Sequence, residues 1–146
     1  MRNVNMIDHF DGDYRFLSNF HPVEVMMDNI VYPSVEHAYQ AAKTDDLATR
    51  LMIRNLETAG QAKRAGGKIK LHPDWTKHKL LVMVELLMQK FKKPELRALL
   101  MATEGHELIE GNYWGDIYWG VYNGKGKNHL GKLLMSIRSG ISMGLH

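Results

Sequence analysis

The stretch that decides the fold is YPSVEHAYQAAK, residues Tyr32 to Lys43, where an extended segment passes into a helix. Pro33 and Ser34 end the extended run, and the Ser34 hydroxyl can accept from the exposed N–H groups of a helix start. The pattern predicts a helix from this cap through Lys43. Immediately upstream, the apolar residues of Val23 to Tyr32 surround the turn-forming pair Asp28-Asn29, which predicts a short hairpin.

Downstream of Lys43, capping residues and apolar spacing predict five further helices. The longest follows Pro73-Asp74, where apolar residues recur at three- and four-residue steps from Trp75 to Phe91. Two segments, Glu107 to Glu110 and Ile117 to Tyr122, are predicted as short strands. The predicted class is α+β, a mostly helical single domain with a small β component over residues 1–146. Of the other four helices, one is capped by Asp45 or Asp46, and the next is capped by Thr58 and ends at Gly66-Gly67. Another begins at Pro94. The last contains the apolar residues Leu130, Leu133, Leu134 and Ile137.

Composition excludes several classes of protein. With 45% hydrophobic and 24% charged residues, the chain is far from the composition of disordered proteins. The absence of cysteine excludes disulfide scaffolds, zinc-thiolate sites and thiol nucleophiles. The formal net charge of +3 permits an anionic partner without requiring one. No apolar run suits a secretory signal or a membrane span, so we expect a cytoplasmic protein with no membrane partner.

The first candidate site lies on the helix that Ser34 caps. Glu36 falls in its first turn, where exposed N–H groups and the helix dipole favour an ionised carboxylate. Gln40 and Lys43 follow at positions four and seven residues later, so the three side chains project from one face. In one interpretation they line a polar pocket. In the other, Glu36 only complements the dipole, and Gln40 and Lys43 are solvated.

The second candidate site is NYWGDIYWG, residues Asn112 to Gly120, in which four aromatic side chains surround Asp116. Such a segment can form a stacking wall for a flat ring, with an acid at its edge. Alternatively, Asp116 is a turn residue, and Tyr113 and Tyr118 fill the core. Trp75 is a further ring of interest, although its place at the head of a helical stripe is more typical of a core residue.

The third candidate is the glycine-rich segment GKGKNHLG, residues Gly124 to Gly131, immediately before the last helix. Backbone N–H groups, a helix N-terminus and two lysines together suit a phosphate. The alternative is a solvated hairpin tip, and the segment matches neither a Walker A motif nor a dinucleotide fingerprint.

Histidine and serine motifs of known catalytic centres are missing from the chain. There is no HExxH, HxxxH or GxSxG, so we expect no metal site and no cofactor. Carboxylates, stacking rings and a loop that suits a phosphate fit cleavage of the bond between a sugar C1 and a base nitrogen. One carboxylate would stabilise the positive charge that develops on the sugar, and the same or the other would handle a proton.

Seven strings, in this order, resemble the YbiA-like or NADAR superfamily, whose name refers to NAD and ADP-ribose. The resemblance runs from about Tyr14 to Ile141, and the ordered set is specific although each string alone is weak. It implies the compact YbiA-like α+β fold and metal-independent N-glycosidase activity. The strings are FLSNF (Phe16 to Phe20), YPSVEHAYQAAK (Tyr32 to Lys43), PDW (Pro73 to Trp75), KF (Lys90-Phe91), ELRALLMAT (Glu95 to Thr103), DIYWG (Asp116 to Gly120) and GKGKNHLGKLLM (Gly124 to Met135).

The resemblance also implies roles for single residues. The family's catalytic glutamate and aspartate fall on Glu36 and Asp116. The predicted substrate-binding residues are Asn19, Lys43, Trp75, Trp119, Gly124, Gly126 and Asn128. Two positions depart from the family pattern, since Gly67 and His72 stand where many relatives carry arginine. If those arginines hold phosphates, a lysine that substitutes for them does not reproduce their bidentate grip.

Three functions stay open from the sequence. The first is removal of ADP-ribose attached to guanine in nucleic acid, and the second is hydrolysis of early phosphoribosylamine intermediates of riboflavin synthesis. The substrate partner is accordingly an ADP-ribosylated nucleic acid or a phosphoribosyl small molecule. The third is a non-catalytic module that binds ADP-ribose or nucleotides, against which the presence of two acids argues, because a reader of an anionic ligand gains little from them. An interaction module built on the 10 methionines is a weaker alternative, since most should fill the core.

Overall fold

The fold is that of a computed structural model, which describes residues 5–145. These residues fall into two compact units, one formed by 19–91 and the other by 5–18 together with 92–145. The α+β class and the predominance of helix are confirmed. A single domain over residues 1–146 stays a prediction. The elements are β1 (Met6–Ile7), a 3₁₀ helix (Gly12–Leu17), β2 (Pro22–Met27), β3 (Ile30–Ser34), α1 (Val35–Ala41), α2 (Leu47–Arg54), α3 (Ala59–Gly66), α4 (Trp75–Lys90), α5 (Pro94–Met101), β4 (Glu107–Leu108) and α6 (His129–Ser142).

The hairpin of the 19–91 unit forms as predicted. Strands β2 and β3 pair antiparallel through Met27↔Ile30 and Val25↔Tyr32. Asp28 and Asn29 have φ angles of 49° and 65°, the left-handed conformation that a two-residue hairpin turn requires. Val25 and Tyr32 are buried, so this face of the ribbon contributes to the core of the unit.

Helix α1 is the centre of this unit. It packs against the hairpin and against α2, α3 and α4, and all seven of its residues are buried. A helix this short is marginal alone in water, so its stability depends on that packing. The predicted caps are confirmed: the Ser34 hydroxyl accepts from His37 N at 3.0 Å, Asp46 accepts from Thr49 N, and Thr58 forms a capping box with Gln61.

His37 ties the start of α1 to the segment that follows α2. Its Nε2 lies 3.0 Å from the Leu56 carbonyl, which can only accept, so Nε2 carries the proton and donates. Nδ1 then accepts from the Ser34 hydroxyl at 2.6 Å. Burial lowers the pKa of His37, partly opposed by the Leu56 hydrogen bond. The neutral ring is therefore the form that this network holds.

The unit formed by 5–18 and 92–145 is built on a small parallel pair. β1 and β4 align Met6 with Glu107 and Ile7 with Leu108. Helix α6 packs on β4, and α5 packs on α6 and on the 3₁₀ helix. Buried Arg138 of α6 donates to the carbonyl and hydroxyl oxygens of Thr103 at 2.8 and 2.9 Å, which fixes the end of α5.

Three predicted boundaries are wrong. The helix expected through Lys43 ends at Ala41, and the chain leaves it through three-residue turn bonds such as Lys43 N to Gln40 O. Of Glu107 to Glu110, only the first two residues form a strand. Ile117 to Tyr122 forms no strand, because its carbonyls accept from the N–H groups that precede and begin α6.

Candidate functional site

Glu36 is a buried carboxylate held by its neighbours within the 19–91 unit. Only 8% of the residue is exposed. Gln40 Nε2 donates to its Oε2 at 2.6 Å, and its own backbone N–H donates to the Asn19 carbonyl at 3.1 Å. The predicted shared face of Glu36 and Gln40 is confirmed. The alternative with a solvated Gln40 is wrong, because Gln40 is buried as well.

The Glu36–Gln40 pair depends on a glycine of α3. A Cβ on Gly66 would lie 1.7 Å from Gln40 Oε1, so no larger residue fits while Gln40 keeps this position. Gln40 Oε1 is buried and accepts no hydrogen bond from the described residues, and the same holds for Oδ1 of Asn19. Buried acceptors without a donor are uncommon in folded proteins and suit a site that takes up water or a polar ligand.

Lys43 extends this polar row toward an aromatic pair. Its Nζ lies 5.9 Å from the centroid of the Tyr39 ring, and the Tyr39 and Trp75 rings are 5.2 Å apart. Burial lowers the pKa of Lys43, the Glu36 carboxylate raises it, and Lys79 lowers it. Lys43 therefore interacts electrostatically with Glu36, although it follows the end of α1 at Ala41 and does not share a helix face with Glu36 and Gln40 as predicted. Trp75 is itself buried, at 6% exposed.

Asp116 lies in the other unit, where its carboxylate caps a turn. Oδ1 accepts from the N–H groups of Tyr118 and Trp119 at 3.0 and 2.9 Å. The Asn112 side chain clasps the Asp116 backbone, with Oδ1 accepting from its N–H at 3.0 Å and Nδ2 donating to its carbonyl at 2.8 Å. The prediction that Asp116 is a turn residue is thus confirmed. Both hydrogen bonds to its carboxylate from the described residues go to one oxygen, Oδ1.

The Trp119 ring lies in a small aromatic group that closes this turn. It meets Tyr118 edge-on at 4.9 Å, and Tyr118 lies 4.6 Å from the His129 ring at the start of α6. Tyr118 and Trp119 are both partly exposed, so Tyr118 is only partly buried and does not fill the core as the alternative interpretation predicted. Burial raises the pKa of Tyr118, which keeps its hydroxyl protonated at neutral pH.

The GKGKN segment uses its backbone N–H groups inside the protein. Lys127 N donates to the Ile117 carbonyl and Asn128 N to the Gly120 carbonyl, and just after the segment His129 N and Leu130 N donate to the Tyr118 and Trp119 carbonyls respectively. The Asn128 side chain donates to Leu108 O and accepts from Glu110 N, so it is a buried structural link. Gly126, at φ 148°, lies so close to Gly120 that a Cβ would meet its carbonyl oxygen. The N–H groups of Lys125, Lys127 and Asn128 are thus not available to a phosphate, whereas the side chains of Lys125 and Lys127 are exposed.

At the two positions where many relatives carry arginine, this chain has Gly67 and His72, both in the 19–91 unit. His72 stands at one of those positions and lies 3.0 Å from Asp45. Lys68, beside the other, lines an open depression of about 550 Å³ with Lys70 and the acid Asp46. Neither Glu36 nor Gln40 lines that depression.

Sequence reasoning missed the roles of three residues near the two candidate carboxylates. Gly66 leaves room for the Gln40 side chain, His37 fixes the start of the helix that carries Glu36, and Asn112 holds the backbone of Asp116. Only Asn112 had a local signal, since asparagine, glycine and aspartate close together in a sequence are typical of a turn. Within residues 5–145, no three histidine, aspartate or glutamate side chains converge as metal ligands. No helix in that range has the length and apolarity needed to cross a bilayer.

Comparison with known proteins assigns the chain to a family. The NADAR domain model matches residues 7–142. An N-glycosidase YbiA of Shigella boydii is 39% identical over 135 residues, covering 90% of this chain and 84% of that protein. A riboflavin biosynthesis protein of Vibrio vulnificus is 34% identical over 132 residues, which cover 88% of this chain but 36% of that longer protein.

A solved structure agrees with this sequence similarity. The NMR structure of the Escherichia coli protein YbiA matches with a TM-score of 0.82 and 36% identity, and it covers 96% of this chain and 87% of that one. The expected YbiA-like fold is confirmed. The chain therefore belongs to the NADAR domain family.

Proposed function

We propose that this chain is an N-glycosidase that hydrolyses the bond between a ribose C1 and a base nitrogen without a metal. The observation that carries the proposal is the Glu36 carboxylate, buried yet hydrogen-bonded by Gln40 and coupled to Lys43. Burying this carboxyl group next to a Gln40 amide oxygen that has no donor costs free energy of folding, and a functional site is one reason for a protein to keep such an arrangement. The similarity to proteins named N-glycosidase YbiA supports the same reaction class.

The environments of the two carboxylates suggest a division of tasks. Glu36 is fixed and sheltered from water, which suits electrostatic stabilisation of the oxocarbenium-like ribose. Asp116 is partly exposed and bonded through Oδ1 only, so Oδ2 can accept a proton from the attacking water. As the C1–N bond breaks, the base nitrogen takes the electron pair and receives a proton, which balances the one that Asp116 takes from the water. The water oxygen forms the new bond to C1.

The finer proposal concerns the substrate, for which we favour ADP-ribose attached to guanine in nucleic acid. The net charge of +3 and the lysines of the GKGKN segment suit a polyanion. The second candidate is a phosphoribosylamine intermediate of riboflavin synthesis, favoured by the names of the riboflavin biosynthesis relatives.

The test is product release by purified protein. It is incubated with guanine-ADP-ribosylated DNA, with NAD and with the riboflavin intermediates, and mass spectrometry detects the freed base or sugar. We expect release of ADP-ribose from the DNA. Release only from a riboflavin intermediate would move the assignment to the second candidate, and binding without any release would favour the non-catalytic reader.

Conservative variants test the carboxylates without disturbing their hydrogen bonds. Glu36→Gln keeps an acceptor for Gln40, and Asp116→Asn keeps Oδ1 for the turn, while each removes the negative charge. Each should lower kcat by about a hundredfold or more. Glu85→Gln, at an exposed acid of α4, is the control and should retain activity. Full activity in both Glu36→Gln and Asp116→Asn would reject the mechanism.

A further inference from the structure

The loop that carries Asp116 presents two aromatic side chains to solvent. Tyr113 is 86% exposed and Trp114 is 49% exposed. Their rings meet edge-on at 5.2 Å. We call this pair the aromatic tip. Large aromatic side chains are among those that folding normally buries, so a tip that buries so little of Tyr113 does not serve the core.

The aromatic tip is held on a closed loop. Asn112 bonds both the N–H and the carbonyl of Asp116 and thereby joins the two ends of the loop. Its own N–H donates to the Val121 carbonyl at 3.0 Å. Gly115, at φ 88°, supplies the left-handed residue that lets the chain return. The rings are therefore presented on a fixed base, which lowers the entropy lost when a ligand stacks on them.

Two lysines lie on the segment that pairs with the end of this loop. Ile117, 56% exposed, follows the loop, and its carbonyl accepts from Lys127 N at 2.8 Å. Lys127 and Lys125 are both exposed. The N–H groups of His129 and Leu130 at the start of α6 are already bonded to the loop, so the ammonium groups of Lys125 and Lys127 are the charges of this segment that attract an anion. The acid of the loop, Asp116, has its charge partly satisfied by the two N–H groups of its turn.

We propose that the aromatic tip stacks against a nucleobase that neighbours the modified base in single-stranded nucleic acid, with Lys125 and Lys127 facing its phosphates. This inference rests on the proposed function and extends it from the scissile nucleotide to the strand around it. Solvent-exposed rings flanked by lysines are the arrangement by which proteins bind single strands without sequence preference. A protein partner is less favoured, because two rings and one isoleucine form a small apolar area compared with a stable protein interface.

The experiment compares two substrates that differ only in the flanking strand. One is a single-stranded DNA of about ten nucleotides with one ADP-ribosylated guanine, and the other is ADP-ribosylated guanosine alone. For the double variant Tyr113→Ala/Trp114→Ala, kcat/KM on the DNA should fall roughly five- to hundredfold and that on the nucleoside should stay unchanged. Tyr113→Phe/Trp114→Phe should retain activity on both. Tyr14→Ala, at an exposed tyrosine of the 3₁₀ helix, is the matched control and should alter neither.

Binding of an unmodified single strand separates this inference from the proposed function. Fluorescence anisotropy of a labelled oligonucleotide should show binding that weakens at least fivefold in the alanine double variant and persists in the phenylalanine variant. Equal binding by wild type and the alanine variant, or an equal loss of activity on both substrates, would overturn the role of the tip. Tip-dependent binding without any cleavage would overturn the proposed function alone.

Discussion

Replacing Lys90 by methionine should make the protein more stable at neutral pH. Lys90 is the last residue of α4 and is completely buried, with its Nζ 5.2 Å from the centroid of the Phe91 ring. Burial lowers the pKa of Lys90 from 10.5 to about 7. At about 1.4 kcal/mol per pH unit, this difference corresponds to roughly 5 kcal/mol of lost stability at pH 7 and below.

The direction of the pH dependence of stability follows from how many protons the folded and unfolded chains bind. Between pH 7 and 10.5 the unfolded chain holds a proton on Lys90 that the folded protein largely lacks, so the free energy of unfolding rises with pH across this window. Methionine fills a similar volume and carries no such cost. Because Lys90 also interacts with its surroundings, we expect Lys90→Met to gain about 2–4 kcal/mol at pH 7.

The assay is urea unfolding followed by circular dichroism at several pH values from 7 to 10. The wild type should approach the variant by about 1.4 kcal/mol per pH unit in the middle of the window. Lys92→Met, at an exposed lysine two residues later, is the control and should change stability by less than about 0.5 kcal/mol. Two results would refute the argument that the cost of burying the Lys90 charge outweighs its interactions. One is the same pH dependence of the free energy of unfolding in wild type and Lys90→Met, and the other is a Lys90→Met variant that is less stable than wild type at pH 7.

Two further predictions concern the surroundings of Glu36. Gly66→Ala should displace the Gln40 amide, cost roughly 1–3 kcal/mol in urea unfolding and lower kcat, whereas Gly67→Ala, with no contact closer than 3.5 Å, should be close to neutral. Because burial lowers the pKa of His37 below 6.5, the unfolded chain binds more protons there, and the free energy of unfolding should fall as pH drops below 6.5. His37→Asn should reduce that fall, whereas the control His78→Asn, at an exposed histidine of α4, should not. An equal fall in wild type and both variants would show that His37 is not its cause.

Local signals in the sequence predict most of the fold. Caps such as Ser34 and Thr58 act within four residues, and the Asp28-Asn29 pair sets its own turn, so their structures need no distant information. The contact between Glu36 and Gln40 is predictable for the same reason, since helical spacing places them together.

What the sequence could not predict depends on contacts between distant segments. Ile117 to Tyr122 has strand composition, yet its carbonyls pair with the start of α6, so no regular partner strand exists. Lys90 lies three and four residues after Leu87 and Leu86, on the apolar stripe of α4, but a charged residue type argues against burial. The Gly66 contact with Gln40 arises only when α3 packs on α1.

The parallel pairing of β1 with β4 bears on how the chain acquires its structure during synthesis. Asn5 O and Ile7 O receive their hydrogen bonds from Glu107 and Ile109, about a hundred residues further along. On the ribosome, β1 can therefore pair only after about a hundred further residues have been synthesised, whereas residues 19–91 are contiguous and can complete their own contacts earlier. The β1–β4 pairing is thus a contact between distant segments, and we expect it to form after the local contacts of residues 19–91.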